Sequence, residues 1–91
     1  MERKVKSTHE YDAQIARANE ANALLTNPIL NEVLDKMESE ATQKMIDSLD
    51  QAQRELQWHK VRAVKDFKQE LKMISATGRI AAEKKKTAGS Q

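Results

Sequence analysis

Met45-Ile46-Asp47-Ser48-Leu49-Asp50-Gln51-Ala52-Gln53-Arg54 is the stretch that decides the fold. It lies inside a run from Pro28 to Gly78 that contains no other glycine or proline and places an apolar side chain every three or four residues. Such a run is helical, and the question is whether the helix continues through residues 47–50 or turns back there. A continuous helix would repeat Leu30, Ala41, Ala52, Ala63 and Ile74 every eleven residues, and Leu34, Met45, Leu56 and Phe67 likewise. An eleven-residue period corresponds to about 3.67 residues per turn, so a nearly straight rod about 75 Å long satisfies it. Two capping signals oppose this: Ser48 with Gln51, and Asp50 with Gln53, each able to start a new helix.

Reversal also accounts for the charges. Residues 1–27 carry four basic and four acidic side chains, residues 28–53 two and six (net −4), and residues 54–91 ten and four (net +6). Folding the acidic segment onto the basic one pairs them, whereas parallel straight helices would set each acidic block beside its own copy. With a turn centred between Ser48 and Leu49, Met45 faces Ala52, Ala41 faces Leu56, Leu34 faces Ala63 and Leu30 faces Phe67, large against small. Asp35 then lies near Arg62 and Glu32 near Lys65. The expected fold is therefore all-α, an N-terminal helix plus an antiparallel helical hairpin. The alternative is one long helix forming an elongated coiled-coil dimer.

Local signals set the remaining boundaries. Ser7-Thr8-His9-Glu10 is a capping box that starts the first helix, whose seam is Tyr11, Ile15, Ala18, Asn22 and Leu25. That seam is thin, so the helix is expected to dock late or fray when alone. Asn27 is a good N-cap with Pro28 at the first helical position. The second helix carries Leu30, Leu34, Met37, Ala41 and Met45, and the third Leu56, Ala63, Phe67, Leu71 and Ile74 before Gly78, which reads as a C-terminal cap. The expected organisation is a flexible N-terminus over 1–6, a single helical domain over 7–82 with helices at about 8–25, 28–47 and 50–77, and a disordered basic tail over 83–91.

Composition bounds the function. In 91 residues, 38% are hydrophobic, 33% are charged and only Tyr11, Trp58 and Phe67 are aromatic, which suits amphipathic helices that gain stability from a partner or from self-association. The absence of cysteine excludes disulfides and thiolate chemistry and fits a reducing compartment. The charged opening Met1-Glu2-Arg3-Lys4-Val5-Lys6 has no apolar run after it, so neither a signal peptide nor a membrane span is expected.

Reactive groupings are sparse. Glu55 and His59 share a helix face, but a metal site needs at least a third ligand and His9 is distant in sequence. Glu38 and Glu40 point to different sides of a helix, and Gly78 and Gly89 cannot make a phosphate-cradling loop. No metal, cofactor, small-molecule substrate or enzymatic activity is expected. Trp58 stands out instead. It lies about 180° around the helix from Leu49 and Phe67, and Arg54 and Arg62 flank it at four residues on either side, with Lys65 near. An outward tryptophan among arginines is the composition of an interface hot spot. Packing against the first helix, stacking under the arginine stems, or a lone exposed apolar residue would give the same pattern. Lys84, Lys85 and Lys86 supply either a solubilising end or a contact for nucleic acid or an acidic protein face.

Leu24-Leu25-Thr26-Asn27-Pro28-Ile29-Leu30 with Glu32, then Asp50, Arg54-Glu55 and Trp58, then Gly78 and Ala81, form a series over about residues 20–83 that resembles small α-helical proteins of tailed bacteriophages. The chain departs from those proteins in having only Ser48-Leu49 before the aspartate. The resemblance implies a phage helical hairpin encoded among virion and packaging genes, with no enzymatic activity carried over. The expected function is non-catalytic protein–protein interaction in virion assembly, in a head, connector or packaging complex, with a protein partner or a homo-oligomer. The alternative is a nucleic-acid-associated or regulatory phage protein, or an inhibitor of a host protein, working through the basic C-terminal third. The expected location is the host-cell cytoplasm or the virion.

Overall fold

The computed structural model describes residues 8–88, which form three α-helices and no strand: α1 Thr8–Leu25, α2 Pro28–Asp47 and α3 Gln51–Ala88. The Ser7 half of the capping box, the segment 1–6 and the last three residues of the tail lie outside the described residues. Packing divides the chain into two compact units. Among the described residues, one is residues 25–70; the other combines residues 8–24 with 71–88. α3 gives its first half to one and its second half to the other.

The hairpin unit, residues 25–70, starts where the sequence predicts. Asn27 is extended (φ −73°, ψ 118°), and its Oδ1 accepts from the Leu30 N–H at 3.0 Å, satisfying one orphan donor of α2. Asn31 secures the same corner by donating its amide to the carbonyls of Leu25 at 2.8 Å and Asn27 at 3.0 Å. The chain does reverse near residue 48, which removes the continuous rod. α2 closes on Ser48, itself extended, whose N–H reaches the Lys44 carbonyl at 3.0 Å. Asp50 caps α3 by accepting from the Ala52 N–H at 3.1 Å. Of the two capping signals, the Asp50 one starts the helix. Ser48 instead bridges the turn, its hydroxyl accepting from the Asp50 N–H at 3.2 Å.

The seam of the hairpin differs from the expected one. Leu34 and Ala41 of α2 are buried and Met45 is half-buried, but α3 meets them with Gln57, Val61, Val64 and Lys68. Leu56, Ala63, Phe67 and Met37 lie to one side, exposed. The ion pairs shift accordingly. Lys68 bonds Asp35 at 2.9 Å and lies 3.7 Å from Glu38, while Lys65 lies 3.6 Å from Glu38. Arg62, the expected partner of Asp35, instead faces Asp66 on its own helix at 3.6 Å. The change amounts to turning α3 about its axis: Gln57, Val61, Val64 and Lys68 form one stripe, with Leu56, Ala63 and Phe67 about a quarter-turn away, and this orientation brings Lys68 to the Asp35 and Glu38 carboxylates.

In the second unit, α1 packs on the C-terminal half of α3 through very small residues. Ala18, Ala21 and Ala81 are 4%, 3% and 1% exposed, and Tyr11 covers one end. Of the expected α1 seam, Tyr11 and Ala18 are buried and Ile15 and Leu25 half-buried, while Ala21 takes the inward place expected for Asn22. Gly78 is buried mid-helix with ordinary negative φ, so it does not cap α3. A Cβ added there would stand 2.0 Å from the Ala18 Cβ and 3.0 Å from the Gln14 carbonyl oxygen, so this glycine exists to let two backbones meet. The helix therefore runs past 77 to Ala88, and residues 83–88 of the expected disordered tail are helical. Two polar ties accompany the contact: Ser75 Oγ donates to Asn22 Oδ1 at 2.6 Å, and Lys85 pairs with Asp12.

Candidate functional site

Unpaired apolar surface concentrates on the hairpin unit, on both sides of its seam. One side carries Trp58. Trp58 is 48% exposed, with the Arg62 guanidinium carbon 5.8 Å from its ring centroid and His59 edge-on at 5.1 Å. Arg62 also faces Asp66, which holds the guanidinium near the indole. This geometry is a cation–π pair on an exposed helix face. Beside it lies a shallow hollow lined by Met45, Gln51, Arg54, Glu55 and Trp58.

The four expected interface residues thus separate. Trp58 and Arg62 come together. Arg54 borders the same hollow but spends its Nη1 on the Ser48 carbonyl at 3.2 Å, across the turn. Lys65 turns toward Glu38 and joins the ion pairs of the hairpin. The lysine trio separates too, because a helix sends successive side chains in different directions. Lys85 is tied to Asp12, and Lys84 is exposed.

On the other side of the seam, Leu34, Met37, Ala41, Ala63 and Phe67 line an open apolar groove bordered by Glu40, Lys44 and Lys60. Met37 and Phe67 are 51% and 45% exposed. Gln57 also borders this groove. It is nine-tenths buried, and its Oε1 has no hydrogen-bond partner, an unusual state for a buried carbonyl. The apolar spacing of the sequence predicts Met37, Ala63 and Phe67 in the core and no role for Gln57. A seven-residue spacing, Gln57, Val64, Leu71 and Gly78, with Val61, Lys68 and Ser75 alongside, was the available signal for the true seam.

Electrostatically the hairpin is closed by a triad in which Lys68 serves two carboxylates. Its hydrogen bond to Asp35, aided by the charges of Asp35 and Glu38, holds the ammonium pKa above the ordinary lysine value despite some desolvation. Among the described residues no group of three or more His, Cys, Asp or Glu side chains is arranged to hold a metal ion, and no helix is long and apolar enough to cross a membrane. Comparison with protein-family models, with curated proteins and with solved structures finds no match.

Proposed function

We propose that this chain works by surface matching to a protein partner, as a non-catalytic helical phage protein used in assembling a head, connector or packaging complex. The observation that carries the interaction reading is the half-exposed Trp58 under the Arg62 guanidinium. Burying this pair in a partner's pocket would release a large apolar area and desolvate a directed cation, the two properties that concentrate binding energy in few residues. The phage setting rests on the sequence resemblance, and it puts the protein in the infected cell's cytoplasm or in the virion.

The competing reading, phosphate binding by the basic C-terminal third, has less support. Lys65, Lys68 and Lys85 are each paired with carboxylates of α1 or α2, so part of the +6 is neutralised within the chain.

Co-purification from phage-infected cells tests the proposal. Wild-type chain is expected to retain a specific protein after nuclease treatment, and Trp58→Ala to weaken that retention about 30-fold, the scale of a hot-spot residue worth about 2 kcal/mol. Equal retention by Trp58→Ala, or captured material that nuclease removes entirely, would overturn it. A gel shift at low salt that disappears at moderate salt would favour the phosphate reading instead.

A further inference from the structure

We infer that the Met37–Phe67 groove of the hairpin unit is the seat of a second copy of this chain, which packs its own α2 and α3 there to make a four-helix interface. The inference deepens the protein-interaction reading and rests on it, but it concerns the side of the hairpin opposite Ile46, not the Trp58 hollow.

The first support is area. On α2, Ile29, Val33 and Met37 follow one another at four-residue spacing along one side and are 67%, 46% and 51% exposed. On α3, Leu56 and Phe67 are 48% and 45% exposed and share the groove side with Ala63. At about 200 Å² per large side chain, half exposed, these five leave roughly 500 Å² of apolar surface uncovered. Adding the rim of Glu40, Lys44 and Lys60 brings the face to the order of 800 Å², the share one partner contributes to a stable interface. Against this, the buried apolar core of the hairpin unit is Leu34, Ala41 and Val64. Two helices with so small a core need additional burial to remain paired.

The second support is charge. A partner of one sign would be met by a rim of one sign, whereas this rim mixes Glu40 with Lys44 and Lys60. A two-fold axis across the groove sets the acid of one copy against the lysines of the other, so the face is complementary to itself, as an isologous interface requires. The third support is Gln57. Its carboxamide borders the groove, and its Oε1 has no donor. A small rotation about the terminal torsion, which is soft in glutamine, turns that oxygen toward a donor arriving through the groove. A polar side chain in an otherwise apolar seam is also the device by which helical bundles fix register and copy number.

Analytical ultracentrifugation of the full chain tests this. Wild type is expected to be a dimer at micromolar concentration. Met37→Glu and, separately, Phe67→Glu are expected to raise the dimer Kd about 100-fold or more, because each change acts twice across a two-fold interface. Ile46→Glu and Trp58→Ala are expected to leave it unchanged. Since the chain has no cysteine, Val33→Cys with a spin label provides a readout that does not depend on the glutamate variants folding. Pulsed dipolar spectroscopy should find an intermolecular distance between labels, abolished by dilution. A monomer at 100-fold higher concentration, roughly 100 μM or above, no intermolecular distance, or a dimer indifferent to both glutamate variants would overturn the inference. A monomer that still captures its partner through Trp58 sinks the second copy alone. A dimer that captures no protein through Trp58 sinks the assembly reading and leaves the second copy standing.

Discussion

Replacing Gly78 by alanine should destabilise the protein, although alanine is the better helix former. Gly78 sits within α3 at negative φ, so propensity alone predicts a gain of about 1 kcal/mol. The new methyl would meet the Ala18 Cβ at 2.0 Å and the Gln14 carbonyl oxygen at 3.0 Å. Neither obstacle is the end of a flexible side chain. The helices must separate by more than 1 Å, and Ala18, Ala21 and Ala81 lose contacts whose strength falls quickly with distance. Overpacking of this kind costs about 1–3 kcal/mol, and a clash this short belongs at the upper end, which leaves a net loss of about 1–2 kcal/mol. The Ala18→Gly partner change supplies the internal control. Removing the Ala18 methyl leaves the Ala18 Cα at 3.4 Å and the Gln14 carbonyl oxygen at 3.0 Å, so Gly78→Ala with Ala18→Gly should recover part of the loss, the backbone contact with Gln14 remaining. Hydrogen exchange read by mass spectrometry is the suitable assay, because it reports α1 amides separately from those of α2. Gly78→Ala should accelerate exchange across α1 and spare α2, and the double variant should restore part of the protection. If Gly78→Ala slows exchange and raises the melting temperature, no close approach exists and the C-cap reading of this glycine also fails.

Other consequences are smaller and separable. Asn27→Ala should cost about 1 kcal/mol in urea unfolding, since it orphans the Leu30 N–H at the start of α2. Because the folded pKa of Lys68 is raised, its stabilising contribution is fully present below the unfolded value near 10.4 and is lost as pH rises through the folded value. Asp35→Asn should therefore flatten the loss of stability expected above about pH 10, with circular-dichroism melts as the measurement, and an unchanged alkaline profile would remove Lys68 as its source. Arg54→Ala should lower stability by about 0.5–1 kcal/mol through loss of its bond to the Ser48 carbonyl, while Trp58→Ala should change stability by less and act mainly on binding. Equal melting temperatures for the two variants would contradict that division of labour.

The legible part of this fold was local. Asn27-Pro28 and Asp50 mark helix starts because the Asn27 and Asp50 side chains accept from N–H groups two or three residues on and the Pro28 ring fixes a helical φ, and the structure uses both. The reversal after Asp47 was legible in part: a hairpin sets the acidic second helix against the basic third, and so would an antiparallel dimer of straight helices, but the capping residues Ser48 and Asp50 favour the hairpin. The pairs that form, Asp35 with Lys68 and Glu38 with Lys65, are nevertheless not those expected. Charge blocks specify that two segments attract, but long flexible lysines reach several positions, so the register between them is left to packing. The candidate site was legible to the same degree. The Trp58–Arg62 pair follows from four-residue spacing on one helix, whereas the bond from Arg54 across the turn depends on how Ser48 is oriented.

By itself, then, the chain's sequence determined that it is helical and where α1 and α2 end, because these follow from groups a few residues apart, and it favoured an antiparallel α2 and α3 without excluding one long helix. Tertiary structure decided which face of α3 is buried and what Gly78 is for. Bulk and hydrophobicity argued for Leu56 and Phe67 in the seam, but the strongest contacts form where helix surfaces approach most closely, and that selects Val64, Ala18, Ala81 and a glycine. A methyl group at position 78 faces a residue sixty positions earlier in the chain, a neighbour that no window of local sequence contains.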